Sequence, residues 1–523
     1  MITSKKLPQR VLVIGLDVGD ASLIFEWSQR DVLPALQRLI SSGTRGILHT
    51  TADTLHVSAW PSLYTGTLPG KHGVYYTFQP APGRQGVQRF GPGQYGQPPV
   101  WQLLSATGKR CIIFDAPYTH PIPNFNGVQI FEWGTWAWYW HPMSEPRRLM
   151  RQMTSRCGAY PLGFEANQVG LGALNLANLH QRLIAAATAK ANATRWLMAT
   201  QAWDLFWVVF GETHPAAHYF WPSAPALSNS ETSDAARHRL QDVYQAIDRA
   251  IGQILAGLGE DVAVFVVSGD GVGPNYAAWH LLPEVLQRLG FTAVAGQNRG
   301  EDQGSQGCAV DHKDLLKRVR DLVPADLRQK LSQWLPTRWR DSLMSRWTTA
   351  NIDWAHTRAF CLPTDLEGCI RLNVRGREPH GIVQPGSEFE EVCQTLTAAL
   401  HELVNPRTGR PAVQRIVRTD AVFPGERRHY LPDLVVLWAD DAEIQAVRSP
   451  ALGTIQAPSP DARTGTHRPP GFVVACGPSI PSGSVVEHGH IVDFAPTLLK
   501  AFGLPRSASM DGKVWAGFWA SPG

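Results

Sequence analysis

No apolar run in this sequence approaches the ~20 residues that cross a bilayer, so no membrane span is expected. Charge of one sign is scarce too: 48 basic against 44 acidic side chains leave a formal net charge of +4 over 523 residues. With no basic stretch or nucleic-acid motif beside it, that balance gives no argument for a nucleic-acid partner. Cysteine is sparse. The seven thiols (Cys111, Cys157, Cys308, Cys361, Cys369, Cys393, Cys476) are scattered, odd in number and without CxxC pairing, which reads as free thiols in a reducing compartment. Cys111 and Cys476 fall inside apolar runs and are expected in the core. MITSKKLPQR leads directly into VLVIGL with no h-region or cleavage site between them, so a cytoplasmic location is expected.

What the chain does have is length and a recurring pattern. At 523 residues it exceeds one small core, so a large α/β domain with insertions, or two domains, is expected. Short apolar runs recur at 11–16, 111–114, 205–210, 262–267, 434–438 and 472–475, with helix-like periodicity at 33–42, 179–200 and 235–258. Strands that are apolar without alternation belong to a parallel sheet covered on both faces. The expectation is a doubly wound, mostly parallel α/β sheet flanked by helices. Residues 297–310 read as a polar loop, and 313–347, basic and helical with Trp334, Trp339 and Trp347, as an inserted cap. The division expected is therefore a first core part, 1–295, an insertion, 296–355, and a second core part, 356–523.

Ligands in such folds bind beyond the carboxyl ends of the strands, and here those ends carry chemistry. Asp17 closes VIGLD. His214 and His218 follow the run 205–210 and share one helix face if the segment after Pro215 is helical, a spacing that chelates a transition metal. Asp270 follows the run 262–267 in SGDGVG, and His467 lies just before the last run in GTHRPPG. Three imidazoles suit zinc, iron or another borderline ion, and Asp17 and Asp270 complete that site or build a second one. Taken singly, an Asp at a strand end is more often a helix cap or turn residue. Residues 55–75, LHVSAWPSLYTGTLPGKHGVY, are rich in groups that point hydroxyls and N–H donors at an anion.

With these segments in order, the chain resembles the alkaline phosphatase superfamily, and within it the type I phosphodiesterase/nucleotide pyrophosphatase-like phosphohydrolases. The resemblance rests on VLVIGLD, SAWPSLYTGTLPGKHGV, WDLFWVVFGETHPAAHYFW, VFVVSGDGVGP, GTHRPPG and the tail DFAPTLLKAFGLP…MDG. It implies an alkaline phosphatase-like fold and a site for one or two divalent ions, zinc first, manganese or iron next. By resemblance one ion is held at His214, His218 and His467, where His214 replaces the family's Asp. The other falls to Asp17, the nucleophile position and the Asp-His pair, which here reads Gly269-Asp270. Counting back from Thr65-Gly66 puts the nucleophile position on His56, with no hydroxyl, while Ser58 stands two residues on.

Four readings follow. The first is hydrolysis of a phosphate, phosphonate or sulfate ester, with His56 as nucleophile through a phosphoramidate, or with attack by metal-activated hydroxide and His56 as ligand or base. In the second, Ser58 supplies the hydroxyl. A mononuclear three-His centre doing lyase or oxygen-dependent chemistry is the third, and a metal-containing binding protein without turnover the fourth. Three neutral imidazoles leave an ion more electrophilic than a set containing Asp.

The expected partner is a small anionic ester, with an aromatic, sugar or cationic portion if the Trp-rich stretch 132–143 is a stacking wall rather than core filling. Arg371, Arg375 and Arg377 are candidates to grip the anion, and Asp115, Tyr118 and Thr119 to line the pocket. His72 reads as structural and Lys71 as solvated.

Overall fold

The computed structural model describes residues 7–91, 94–135, 141–162, 176–222, 233–295, 351–460 and 462–519. Its centre is a nine-stranded sheet. The strands are β1 (Arg10–Leu16), β2 (Thr44–His49), β3 (Cys111–Phe114), β4 (Gly127–Phe131), β5 (Met143–Glu145), β6 (Leu205–Phe210), β7 (Val262–Ser268), and, late in the chain, Gly471–Cys476 and Ser484–His490. The last two are β14 and β15 once the strands between them are counted. The order is β15-β2-β14-β7-β1-β6-β3-β4-β5. β7, β1, β6, β3 and β4 run parallel, while β14 lies antiparallel to both β7 and β2.

The absence of alternation in these strands has a direct packing cause. Leu12, Ile14, Phe206, Val208, Val264 and Val266 face one layer, where the helices Pro34–Ser42, Leu176–Thr200 and Ser233–Leu255 cover them. Val11, Val13, Trp207, Val209, Phe265 and Val267 face the other, against helices Ala59–Thr65 and Phe494–Ala501. At roughly 1.5–3 kcal/mol for each fully buried large aliphatic side chain, both faces favour apolar residues, so no polar face remains to write a period of two. The mostly parallel α/β sheet expected from the sequence is the one observed.

The run at 434–438 is a correction. It is not in the central sheet. Between β8 (Gly271–Pro274) and β13 (Gly465–Arg468), which pair as a short ribbon, lie β9 (Ala359–Cys361), β10 (Gly368–Leu372), β11 (Val413–Arg418) and β12 (Leu434–Trp438). These four form a separate antiparallel sheet in the order β9-β10-β12-β11. Leu434, Val436 and Trp438 pack in one core with helix Ser387–His401, and Val435 lies in another with Leu55, Tyr75 and Phe360. A strand covered on both faces has the same pattern in either kind of sheet, and that is why its pattern misled.

The segment 313–347 and nearly all of 296–355 lie outside the described residues, as do residues 136–140 of the Trp-rich stretch, with three of its four tryptophans. Trp133 is described and buried, packing on Phe114 and Tyr160 as core. Cys111 is buried as expected and Cys476 half-buried, and the six described cysteines are free. Among the described residues no helix is long and apolar enough to cross a membrane.

Candidate metal centre

β1 delivers Asp17 immediately after Leu16, and β6 runs through Gly211 into the helix Thr213–Phe220. Gly211 is required there: a Cβ would stand 2.4 Å from the Gly134 carbonyl oxygen. Pro215 falls in the first helical turn, where its missing N–H costs little. His214 and His218 are thus one turn apart on one face, with their Nε2 atoms 2.8 Å from each other. The ribbon of β8 and β13 sets Val272 opposite His467 and brings that imidazole to the pair. Its ring centroid lies 4.9 Å from that of His214 and 5.2 Å from that of His218. One ring nitrogen of each of the three lies within 4.8 Å of the others.

Each imidazole is tied from behind by its other nitrogen. His214 Nδ1 is 2.9 Å from Asp17 Oδ2, His218 Nδ1 2.8 Å from the Gly465 carbonyl oxygen, and His467 Nδ1 2.6 Å from Asp270 Oδ2. The Gly465 carbonyl, and Asp17 and Asp270 when ionised, take the proton on Nδ1, which leaves a lone pair on each Nε2. Two lone pairs facing at 2.8 Å repel unless a cation or a donor lies between them. Burial, with neighbouring Arg463 and the other imidazoles, holds His218 well below the usual histidine range, and burial, with His56 and His214, does the same to His467. Neutral imidazoles whose outer nitrogens are fixed by a carboxylate or carbonyl are what a borderline divalent ion takes.

Charge points the same way. Asp17, Asp270, Asp365 and Glu367 are four carboxylates in contact with the histidine cluster, and the cations touching them are Arg463 and a His56 flanked by acids on both nitrogens. With all four carboxylates ionised, four against two leaves an excess of two negative charges in a buried site, the charge of one divalent ion. The excess is visible in Asp270, whose carboxyl is pushed up to about 8 by burial and then by the charge of Asp17. Burial also works against Asp17, but His214 and the Trp60 indole N–H, which donates to Oδ1 at 2.7 Å, hold it below the usual range. The residues present fit a divalent metal ion.

His56 occupies a different environment. It opens the turn before helix Ala59–Thr65, and its ring centroid is 4.5 Å from that of His467. Its Nδ1 lies 3.0 Å from each Glu367 carboxylate oxygen, and its Nε2 3.3 Å from Asp365 Oδ1. The His56 backbone N–H also donates to Glu367 at 2.8 Å. Burial alone would depress this imidazole, but Glu367 and Asp365 outweigh it and raise it to about 10. With a carboxylate on each nitrogen, His56 stands as an imidazolium and has no lone pair to offer.

The structure therefore gathers Asp17, His56, His214, His218, Asp270 and His467 in one place. Asp17 and Asp270 back imidazoles. Ser58 is not part of the group: its hydroxyl is fully buried and bonds to the Leu55 carbonyl at 2.6 Å and the Thr51 hydroxyl at 2.8 Å. Three residues at the site escaped the sequence reading. Asp365 and Glu367 sit on the loop joining β9 to β10, and Arg463 precedes β13. Two acids in PTDLEG between two apolar runs was the available signal. Arg463 had none.

Three other expectations change. Arg371 is buried and bonded to Glu378 and the Leu431 carbonyl, Arg377 pairs with Asp433 and Glu378, and Arg375 is exposed; none of the three reaches the site. Their charges are already used inside the small sheet. Asp115 is no pocket residue: it is fully buried, ion-paired with Lys190, and accepts from the Trp133 and Gly134 N–H groups at 2.7 Å. Lys71 is ion-paired with Asp511 at 2.6 Å rather than solvated. His72 is structural as expected, fully buried between Ser62 and the Val74 N–H.

Imidazoles and carboxylates thus gather beside the carboxyl ends of a mostly parallel α/β sheet, where ligands of such folds bind. The family profile of type I phosphodiesterase / nucleotide pyrophosphatase matches residues 11–467, and the chain belongs to that family of phosphoester hydrolases. No curated protein matches the sequence. Among solved structures, human ectonucleotide pyrophosphatase/phosphodiesterase 5 is 11% identical, with 97% of each chain covered and a TM-score of 0.48. Phosphonoacetate hydrolase from Sinorhizobium meliloti 1021, solved with phosphonoformate, is 12% identical, covering 94% of this chain and 97% of its own, with a TM-score of 0.47.

Proposed function

We propose that the chain is a metal-dependent hydrolase of a small phosphate, phosphonate or sulfate ester, with His214, His218 and His467 as the metal ligands. The observation that carries this reading is a ring nitrogen from each of three imidazoles within 4.8 Å of the others, while Nδ1 of every ring faces a carboxylate or carbonyl. A divalent ion held there supplies Lewis-acid charge and lowers the pKa of a water it binds. Asp17 and Asp270 orient His214 and His467. Trp60, donating to Asp17, fixes that carboxylate in turn. His56 donates toward an oxygen of the substrate; an imidazolium between two acids is neither nucleophile nor ligand. Ser58 keeps a structural bond. The charge balance favours one resident ion, zinc first and manganese or iron next. A reducing, cytoplasmic setting suits the six described free thiols.

A second reading, a mononuclear three-His centre with lyase or oxygen-dependent chemistry, draws on the lack of any carboxylate within the cluster itself.

The test is turnover of zinc- and manganese-loaded protein on chromogenic phosphodiester, phosphonate and sulfate esters, beside His56→Gln. Ester cleavage that falls about a hundredfold in His56→Gln, with metal retained, is the expected result for loss of one charged donor. No cleavage of any ester, with a coloured or paramagnetic ion bound, favours the second reading.

A further inference from the structure

Arg463 and Asp365 have no role in the reading above, yet both touch the site. The Arg463 guanidinium, with only 3% of its side chain exposed, puts Nη1 3.1 Å from Asp365 Oδ2 and 3.3 Å from His218 Nε2. Asp365 reaches with its other oxygen, Oδ1, to within 3.3 Å of His56 Nε2. One carboxylate thus bridges two buried cations beside the three imidazoles.

Three features mark this carboxylate as a stand-in. First, it is the outermost member: 17% of its side chain is exposed, against 5% for His56 and 3% for Arg463. Second, Oδ1 is buried without a hydrogen bond of acceptable geometry among the described residues, so its contact with His56 is ionic and loosely directed. Third, it is carried by the short β9–β10 loop of the small sheet, whereas His56 opens the turn before helix Ala59–Thr65 on the central sheet and Arg463 precedes β13. Arg463 also faces the same His218 nitrogen that a metal ion would take. A guanidinium and a divalent ion at one imidazole repel each other unless an anion lies against both.

We propose that Arg463 and His56 form a two-pronged cradle for two non-bridging oxygens of a tetrahedral oxyanion, and that Asp365 fills this cradle until the substrate displaces it. The inference deepens the hydrolase reading and rests on it for the location of the reacting group. Two oxygens on one central atom, each facing a cationic N–H donor, is the pattern shared by carboxylate and phosphoryl or sulfuryl groups. Asp365 then sets selectivity by competition. Glu367, held by the His56 ring and backbone N–H, stays in place and keeps His56 oriented.

The experiment is calorimetric binding of inorganic phosphate, with sulfate as a second probe, to metal-loaded protein and to Asp365→Asn, Asp365→Ala and Arg463→Gln. Metal content and Tm are recorded for each. Because binding is read, the result stands whether or not an ester is turned over. Removing the competing carboxylate is expected to tighten phosphate about tenfold in both Asp365 variants, and Arg463→Gln to weaken it about tenfold, with metal content unchanged in all three. Unchanged or weaker binding in both Asp365 variants, or loss of the metal with either, would overturn the proposal. If one variant does not fold, the other decides. Failure of every ester to react, with these binding changes intact, would count against the hydrolase reading alone.

Discussion

The two halves of the site are built from different parts of the molecule. The three-His half hangs on the central sheet: Asp17, His214, His218, Asp270 and His467 follow or adjoin strands fixed by two apolar layers, and each ring is anchored by a second partner. The cationic half, His56 with Asp365, Glu367 and Arg463, is closed by a loop of the small antiparallel sheet. One half is preorganised to present lone pairs. The other presents positive charge balanced by two acids, of which Asp365 is the more exposed. A metal and an anion need these two different surfaces side by side.

The strongest way to break the comparison is to remove a member of the preorganised half. His214→Ala or His467→Ala is expected to abolish metal binding and lower ester turnover by about 10^3-fold or more, given that even a single oriented donor is worth roughly 10^2–10^3. Metal content and kcat/KM check this. A finer test spares the rings and takes their anchors. Asp17→Asn and Asp270→Asn should each weaken metal affinity about 10–100-fold, read by competition with a chelator, because an amide lacks the carboxylate's charge and can turn its NH2 to the ring, favouring the other tautomer. Metal affinity unchanged from the parent in both variants would show that the carboxylates do not orient the histidines.

Effects on stability come next. His72 lies behind the helix Ala59–Thr65, and burial brings it down to about 3, from 6.5 when solvated. Its Nδ1 accepts the Val74 N–H, so the folded state holds it neutral while the unfolded chain protonates it below about 6.5. Stability from this group is therefore present above 6.5 and is lost as pH falls from there toward 3. Denaturant titrations should show a flatter pH dependence between 6.5 and 4 in His72→Gln than in the parent. The smallest effect expected belongs to Ser58→Ala: about 1 kcal/mol of stability for the lost bond to the Leu55 carbonyl, and turnover within about twofold. A collapse of turnover in that variant would return Ser58 to the nucleophile's role.

The sequence was most legible where chemistry and fold are local. The strands 111–114 and 205–210, the His214–His218 spacing and the Asp and His at strand ends follow from periodicity and motif order, and the structure brings those residues together. Legibility failed where a residue's meaning depends on a distant partner. Leu434–Trp438 reads like a parallel strand because both its faces are covered, though it belongs to the small sheet. Arg371 and Arg377 look like anion grips until Glu378 and Asp433 are placed beside them. Asp365 and Glu367 lie more than 300 residues from His56, and only the folding of the β9–β10 loop over the strand ends gives them a role.

The most direct measurement is the metal content of the purified protein by ICP-MS, with His214→Ala and His56→Gln prepared alongside. One divalent ion per chain is expected, lost in His214→Ala and kept in His56→Gln. Two ions per chain, or an ion that survives His214→Ala and disappears with His56, would contradict that expectation.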